Sequence, residues 1–214
     1  MARDSELEDF DEASDDDGLY YDENDYDPVA TYEERVNAAK KEIKNKKFAS
    51  DRDVVEFLER YHDIDKQPTK ADGNLLHALI DVVKHNPEDV KPQDVQLLAQ
   101  RMVEKWPDLV KGVNKDGFNP VFMAIRLAQH EIASFIISAC KDGDCLNTAL
   151  STKDQSGMTC LHVAFKDNID ATTTRMLIER ASDDVLALQD HSGYTSMRML
   201  YLLESLGLSP TTRN

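Results

Sequence analysis

Apolar residues recur at helical spacing through most of this chain. The first clear stripe is Tyr32, Val36, Ala39 and Ile43, separated by four, three and four positions. That period predicts an amphipathic helix over "TYEERVNAAKKEIKNKKF". A second helix is predicted over "SDRDVVEFLERYHD", where Ser50 followed by Asp53 makes a loose capping box and Val54, Leu58 and Tyr61 form the inner face. The turn-rich "KQPTKADG" then interrupts the pattern.

Beyond residue 70 the pattern repeats. Four stretches open on Asp-Gly or Ser-Gly and pass within a few residues into a helical apolar period: "DGNLLHALI", "DGFNPVFMAI", "SGMTCLHVAF" and "SGYTSMRML". Their glycines, Gly73, Gly117, Gly157 and Gly193, lie 44, 40 and 36 residues apart. A second apolar helix is predicted after each of the first three, over "PQDVQLLAQRMVEKW", "HEIASFIISAC" and "ATTTRMLIERA", with Pro92 in the first turn of its helix and Pro107 stopping it. Polar connections follow: "DLVKGVNKDG", "NTALSTKDQSG" and "DVLALQDHSG". The predicted unit is turn, helix, helix, extended connection. Such units bury their apolar faces only by stacking on one another, so the fold class is an all-α repeat solenoid.

The final stretch from Thr195 is apolar nearly all round, with Met197, Met199, Leu200, Tyr201, Leu202, Leu203, Leu206 and Leu208. A terminal repeat needs a polar outer face, so this helix is expected to be covered by further chain or by another protein.

Charge divides the chain. The net charge is −16, but residues 1–27 hold 13 acidic residues and one Arg, leaving −4 for the rest. Residues 1–28 are expected to be a disordered acidic tail, with Phe10, Tyr20, Tyr21 and Tyr26 among the acids, a mixture that sometimes docks on basic partners. Residues 29–69 are expected to form an N-terminal helical cap, and residues 70–208 about four repeats, the last incomplete. The basic run "KKEIKNKK" suits a solvated helix face, a localisation signal, a phosphate-binding patch or salt-sensitive pairing with the tail. Overall acidity argues against nucleic acid as a main partner.

Three cysteines, Cys140, Cys145 and Cys160, are too few and too odd for a secreted disulfide framework. The N-terminus lacks the basic and apolar regions of a signal peptide, and no apolar run approaches the ~18 residues of a membrane span. A cytoplasmic or nuclear protein without a membrane segment is expected.

The repeated stretches resemble the ankyrin repeat over roughly residues 70–200. The family pattern Gly-x-Thr-Pro-Leu-His-x-Ala is met best at Gly157, Thr159, Leu161, His162 and Ala164, with Cys160 in the proline position. At Gly117 the match is Asn119, Pro120, Val121 and Ala124, with Phe122 replacing the histidine. At Gly193 it is Thr195 and Met197, with Arg198 replacing the histidine. At Gly73 one residue is missing before Leu76 and His77. Gly157 is expected at positive φ, Thr159 as a helix cap, Leu161 between adjacent repeats, and Ala164 at a close helix contact. The resemblance implies that Thr159 and His162 tie turn to helix by hydrogen bonds. His77, with Leu75 unable to supply a hydroxyl, is expected to act alone in a looser copy.

Catalytic and metal chemistry find no pattern to rest on. Zinc wants paired ligands at set spacing, and Cys140 with Cys145 has no second pair nearby. "QDHSG" places Asp190, His191 and Ser192 side by side, but neighbours in sequence do not converge as a triad does. No nucleophile elbow or phosphate-binding glycine loop occurs. No catalytic residue, cofactor or metal is expected. The sequence points to a non-catalytic adaptor that binds a protein partner through turn tips and inner helices. The candidate contacts are Asn74, Phe118, Asn119, Met158 and Tyr194, with the aromatic residues as the main anchors. The alternative is an N-terminal regulatory or targeting segment of a larger enzyme.

Overall fold

A computed structural model describes residues 28–198 and residue 201, apart from 47, 49, 63, 65–71 and 168. Residues 1–27 of the expected tail and most of the expected last helix lie outside the described residues. The helices are α1 (Pro28–Asn45), α2 (Asp51–Arg60), α3 (Leu75–His85), α4 (Pro92–Lys105), α5 (Pro120–Arg126), α6 (His130–Ala139), α7 (Gly143–Leu150), α8 (Cys160–Lys166), α9 (Ala171–Arg180) and α10 (Asp183–Leu186). Among the described residues β pairing is limited to single antiparallel bridges, Lys153 with Thr159 and Gln189 with Thr195.

The helices stack in two rows. The inner row runs α1, α3, α5, α8 and the outer row α2, α4, α6, α9, each helix packed on the next in its row. The stripe read from sequence lies inside, with Tyr32, Val36, Ala39 and Ile43 all buried. The capping box at α2 is closed: the Ser50 N–H donates to Asp53 Oδ2 at 2.9 Å, and the Asp53 N–H donates to Ser50 Oγ at 3.3 Å. So α1 and α2 take the places of an inner and an outer helix ahead of the first glycine-opened unit.

Three lysines of the basic run are engaged by the fold's own carboxylates. Lys40 pairs with Asp81 at 2.7 Å, Lys44 with Asp89 at 3.7 Å and Lys46 with Glu42 at 3.8 Å.

The connections differ from expectation. Each was expected to be extended, and each carries a short helix: a 3₁₀ turn at Pro107–Val110, then α7 and α10. Polar residues just ahead of the second and third connections cap α7 and α10. Asp142 accepts from the N–H groups of Asp144 and Cys145 at 3.0 and 3.1 Å, and Ser182 accepts from that of Val185 at 3.5 Å. Their apolar residues Leu109, Val110, Leu146, Ala149, Leu150 and Val185 are buried beneath the two rows.

The chain turns helical again at Ser196. Counted from the helix cap, Met197 sits where Leu161 does in the preceding unit, and Tyr201 where Phe165 does. Leu161 and Phe165 are 0% exposed, whereas Met197 is 44% and Tyr201 70% exposed. This end of the stack presents core positions to solvent.

Candidate functional site: the hairpin tips

Three of the four glycines stand at equivalent corners. Gly117, Gly157 and Gly193 have φ of 81°, 75° and 78°, a left-handed conformation that a side chain disfavours. Three residues before each glycine stands Asn114, Asp154 or Asp190, and these close the turn. Asp154 accepts from the N–H groups of Ser156 and Met158 at 2.8 and 2.9 Å, while its own N–H donates to the Met158 carbonyl at 2.9 Å. Asn114 and Asp190 make the same set of bonds in their own turns. Sequence reasoning singled out none of these three for a role in the turn, although their fixed offset from the glycine was a readable signal.

Gly73 is placed differently. It directly precedes the helix cap Asn74, the position held elsewhere by Phe118, Met158 and Tyr194, so the missing residue is the one that would set a full turn. A side chain there would stand 2.7 Å from His77 Cβ. Close approach to that histidine explains the glycine.

The histidines join one unit to the next. His162 is fully buried. Its Nδ1 accepts from the Thr159 N–H at 3.2 Å and faces the Thr159 hydroxyl at 2.8 Å, and its Nε2–H donates to the Tyr194 carbonyl at 2.9 Å, in the next hairpin. His77 repeats the arrangement: Nδ1 accepts from the Asn74 N–H at 3.1 Å and Nε2–H donates to the Phe118 carbonyl at 2.8 Å. Its copy is therefore not the looser, solitary one expected, because Asn74 supplies the cap that Leu75 cannot. Leu161 and Ala164 are both buried within the stack.

Burial holds the His77 imidazole down at about 4, against the hydrogen bond to Phe118. The native state thus takes up its proton less readily than the unfolded chain, whose histidine titrates near 6.5. This contribution to stability is complete above pH ~6.5 and falls as pH drops towards 4. Urea unfolding is expected to show about 2 kcal/mol lost between pH 7.5 and 5 through this residue. A His77→Phe variant, which copies Phe122 of the next unit, is expected to flatten that part of the profile. An unchanged pH profile in the variant removes His77 as the cause.

The candidate contact residues separate into two groups. Asn74 and Asn119 were expected at the surface and are instead 0% exposed. Both are helix caps whose side-chain amides reach inward: Asn74 Nδ2 donates to the Leu109 carbonyl at 2.8 Å, and Asn119 Nδ2 to that of Ala149 at 2.6 Å. They tie each inner helix to the short helix of the same unit, and an asparagine does so because it accepts with one end and donates with the other.

Phe118, Met158 and Tyr194 are partly buried, one per hairpin in a row. Phe118 stacks on Phe122 with centroids 5.0 Å apart, and the Arg126 guanidinium lies 5.0 Å above its ring. Arg126 also reaches Asp154 of the next hairpin at 3.7 Å. Tyr194 carries the Arg198 guanidinium 4.9 Å above its ring. Lys166, on α8, holds the position that Arg126 holds on α5.

The remaining chemistry is sparse. Cys140, Cys145 and Cys160 are free and buried, and burial raises the Cys145 thiol to about 11 and the Cys160 thiol to about 12, so neither forms a ready nucleophile. Among the described residues no group of three His, Cys, Asp or Glu side chains gathers as a metal site, and no helix is long and apolar enough to cross a membrane.

No protein-family model matches the chain, and no curated protein matches it. Among solved structures, EF0377, an ankyrin repeat protein, aligns at 13% identity over 88% of this chain and 100% of its own, with a TM-score of 0.38. The ankyrin repeat domain of Bcl-3, a unique member of the IkappaB protein family, aligns at 12% identity over 77% of this chain and 92% of its own, again with a TM-score of 0.38. The chain's own recurring hairpins, caps and inter-unit histidine bonds make it an all-α, ankyrin-like repeat solenoid.

Proposed function

We propose that this chain is a non-catalytic binding module that holds a protein partner along the hairpin tips and inner helices of its last three units. One observation carries the reading. Histidines bond the first and last of three successive tips to the unit before, and buried caps stand behind the first two, yet each tip leaves one large apolar side chain only partly buried: Phe118, Met158 and Tyr194. Rigidly held apolar anchors in a row suit an extended or helical segment of another protein. The exposed end at Met197 and Tyr201 is a separate face, suited to a further helix pair supplied by additional chain or by another protein.

The test compares the wild-type chain with a Phe118→Ser, Met158→Ser, Tyr194→Ser variant and with Arg175→Glu, a change on the outer row. Proteins captured by the wild type are expected to be lost with the tip variant, by at least tenfold, and kept with Arg175→Glu, at a temperature below the melting transition of each variant. Equal capture by all three overturns the reading.

A further inference from the structure

The three tips share more than an apolar residue. On the second unit Arg126 lies over Phe118, on the fourth Arg198 lies over Tyr194, and on the third Lys166 holds the helix position that Arg126 holds on the second. Arg126, Lys166 and Arg198 are all exposed. Lys153 adds a fourth cation, its Nζ held by the Gln189 carbonyl at 2.8 Å, between the third and fourth hairpins. The carboxylates that face them are largely occupied. Asp154, whose side chain is 6% exposed, and Asp190 accept pairs of turn N–H groups, while Asp116 and Asp167 are exposed. The first unit breaks the pattern: Gly73 offers no side chain, and Asp81 stands in the cation's place, paired to Lys40.

A strip of apolar side chains, its two aromatic members each under a guanidinium, fits a segment in which aromatic residues alternate with carboxylates. The same chain contains one. Residues 1–27 carry 13 acids with Phe10, Tyr20, Tyr21 and Tyr26 among them. They enter the fold at Pro28, the start of the first inner helix, whose Glu33 accepts the Asp72 N–H at 3.0 Å beside the first tip. Three helix spacings of roughly 10 Å separate α1 from α8, and a fourth reaches the helical start at Ser196. An extended segment of this length reaches roughly 90 Å. In the basic run on α1, the other candidate for these acids, Lys40, Lys44 and Lys46 are already paired with Asp81, Asp89 and Glu42.

We propose that residues 1–27 lie across the Phe118, Met158 and Tyr194 tips, their carboxylates on Arg126, Lys153, Lys166 and Arg198, as an internal competitor for the partner site. The inference rests on the proposed function in its choice of surface.

The experiment is carbodiimide cross-linking of the full chain, read by peptide mass spectrometry, on a mixture of ¹⁵N-labelled and unlabelled protein. Amide links from acids of residues 4–27 to Lys153 and Lys166 within one isotope class are expected at 20 mM salt, reduced about tenfold at 0.5 M. Arg126→Gln with Arg198→Gln, checked by an unchanged melting curve, is expected to reduce them about as much. Links only to Lys40–Lys47, links only between isotope classes, or links indifferent to salt and to the two substitutions overturn the inference. Those outcomes leave the partner-capture test of the tips intact, so the two readings fail separately.

Discussion

His162→Ala is expected to destabilise the protein by about 3–4 kcal/mol, one of the two largest single effects in the molecule. The imidazole is fully buried and its two nitrogens serve both sides of a unit boundary. Removing it leaves the buried Thr159 N–H without its partner, at about 1–3 kcal/mol, takes from the Tyr194 carbonyl one of the two bonds it accepts (the other comes from the Asp190 N–H), and adds a cavity term. The coupling is between units, so the loss is not confined to α8: the fourth hairpin is held to the third through the Nε2–H bond of 2.9 Å. A fall of ~10 °C in melting temperature is expected for a chain of this size. His191→Ala, at an exposed histidine, is the control and is expected to stay within about 0.5 kcal/mol. Equal effects of the two substitutions defeat the assignment of His162 as the bond between units.

Much of this frame was legible in the sequence, for identifiable reasons. The α1 stripe and the Ser50–Asp53 cap follow local rules, which hold wherever a helix starts and wherever one face meets a core. The glycine corners were legible because only positive φ selects that residue so strongly. What escaped depended on partners distant in sequence. Asn74 and Asn119 read as irregular tip residues because the carbonyls that bury them, Leu109 and Ala149, lie 35 and 30 residues further on. The short helices hid in polar connections because Asp142 and Ser182 look the same in a loop as at a helix start. The cations over the tips were unreadable for another reason: a guanidinium stacked eight residues from Phe118, or four from Tyr194, has no local signature without the hairpin that brings ring and helix together.

The glycine corners themselves differ in what they would tolerate, and that difference gives the second large effect. At Gly117 and Gly193 an added Cβ meets nothing within 4 Å. Alanine there carries only the left-handed penalty, about 1–2 kcal/mol. At Gly157 the same Cβ would stand 2.5 Å from His191 Cδ2 and 2.8 Å from the His191 backbone nitrogen. The imidazole can swing away; the backbone cannot, because the His191 N–H is bonded to the Ser156 carbonyl at 3.0 Å, a backbone link between the third and fourth hairpins. Gly157→Ala is therefore expected to cost about 3–4 kcal/mol, the backbone penalty plus overpacking. Adding His191→Ala to it is expected to restore less than half, since only the side-chain clash is relieved. Urea unfolding of Gly157→Ala, Gly193→Ala and the double variant decides the matter. If Gly157→Ala is no worse than Gly193→Ala, the hairpins are not pressed together and the tip row is looser than its hydrogen bonds imply. If it is worse and His191→Ala restores it fully, the contact lies in the side chain alone and the backbone link contributes nothing to holding Met158 and Tyr194 in register.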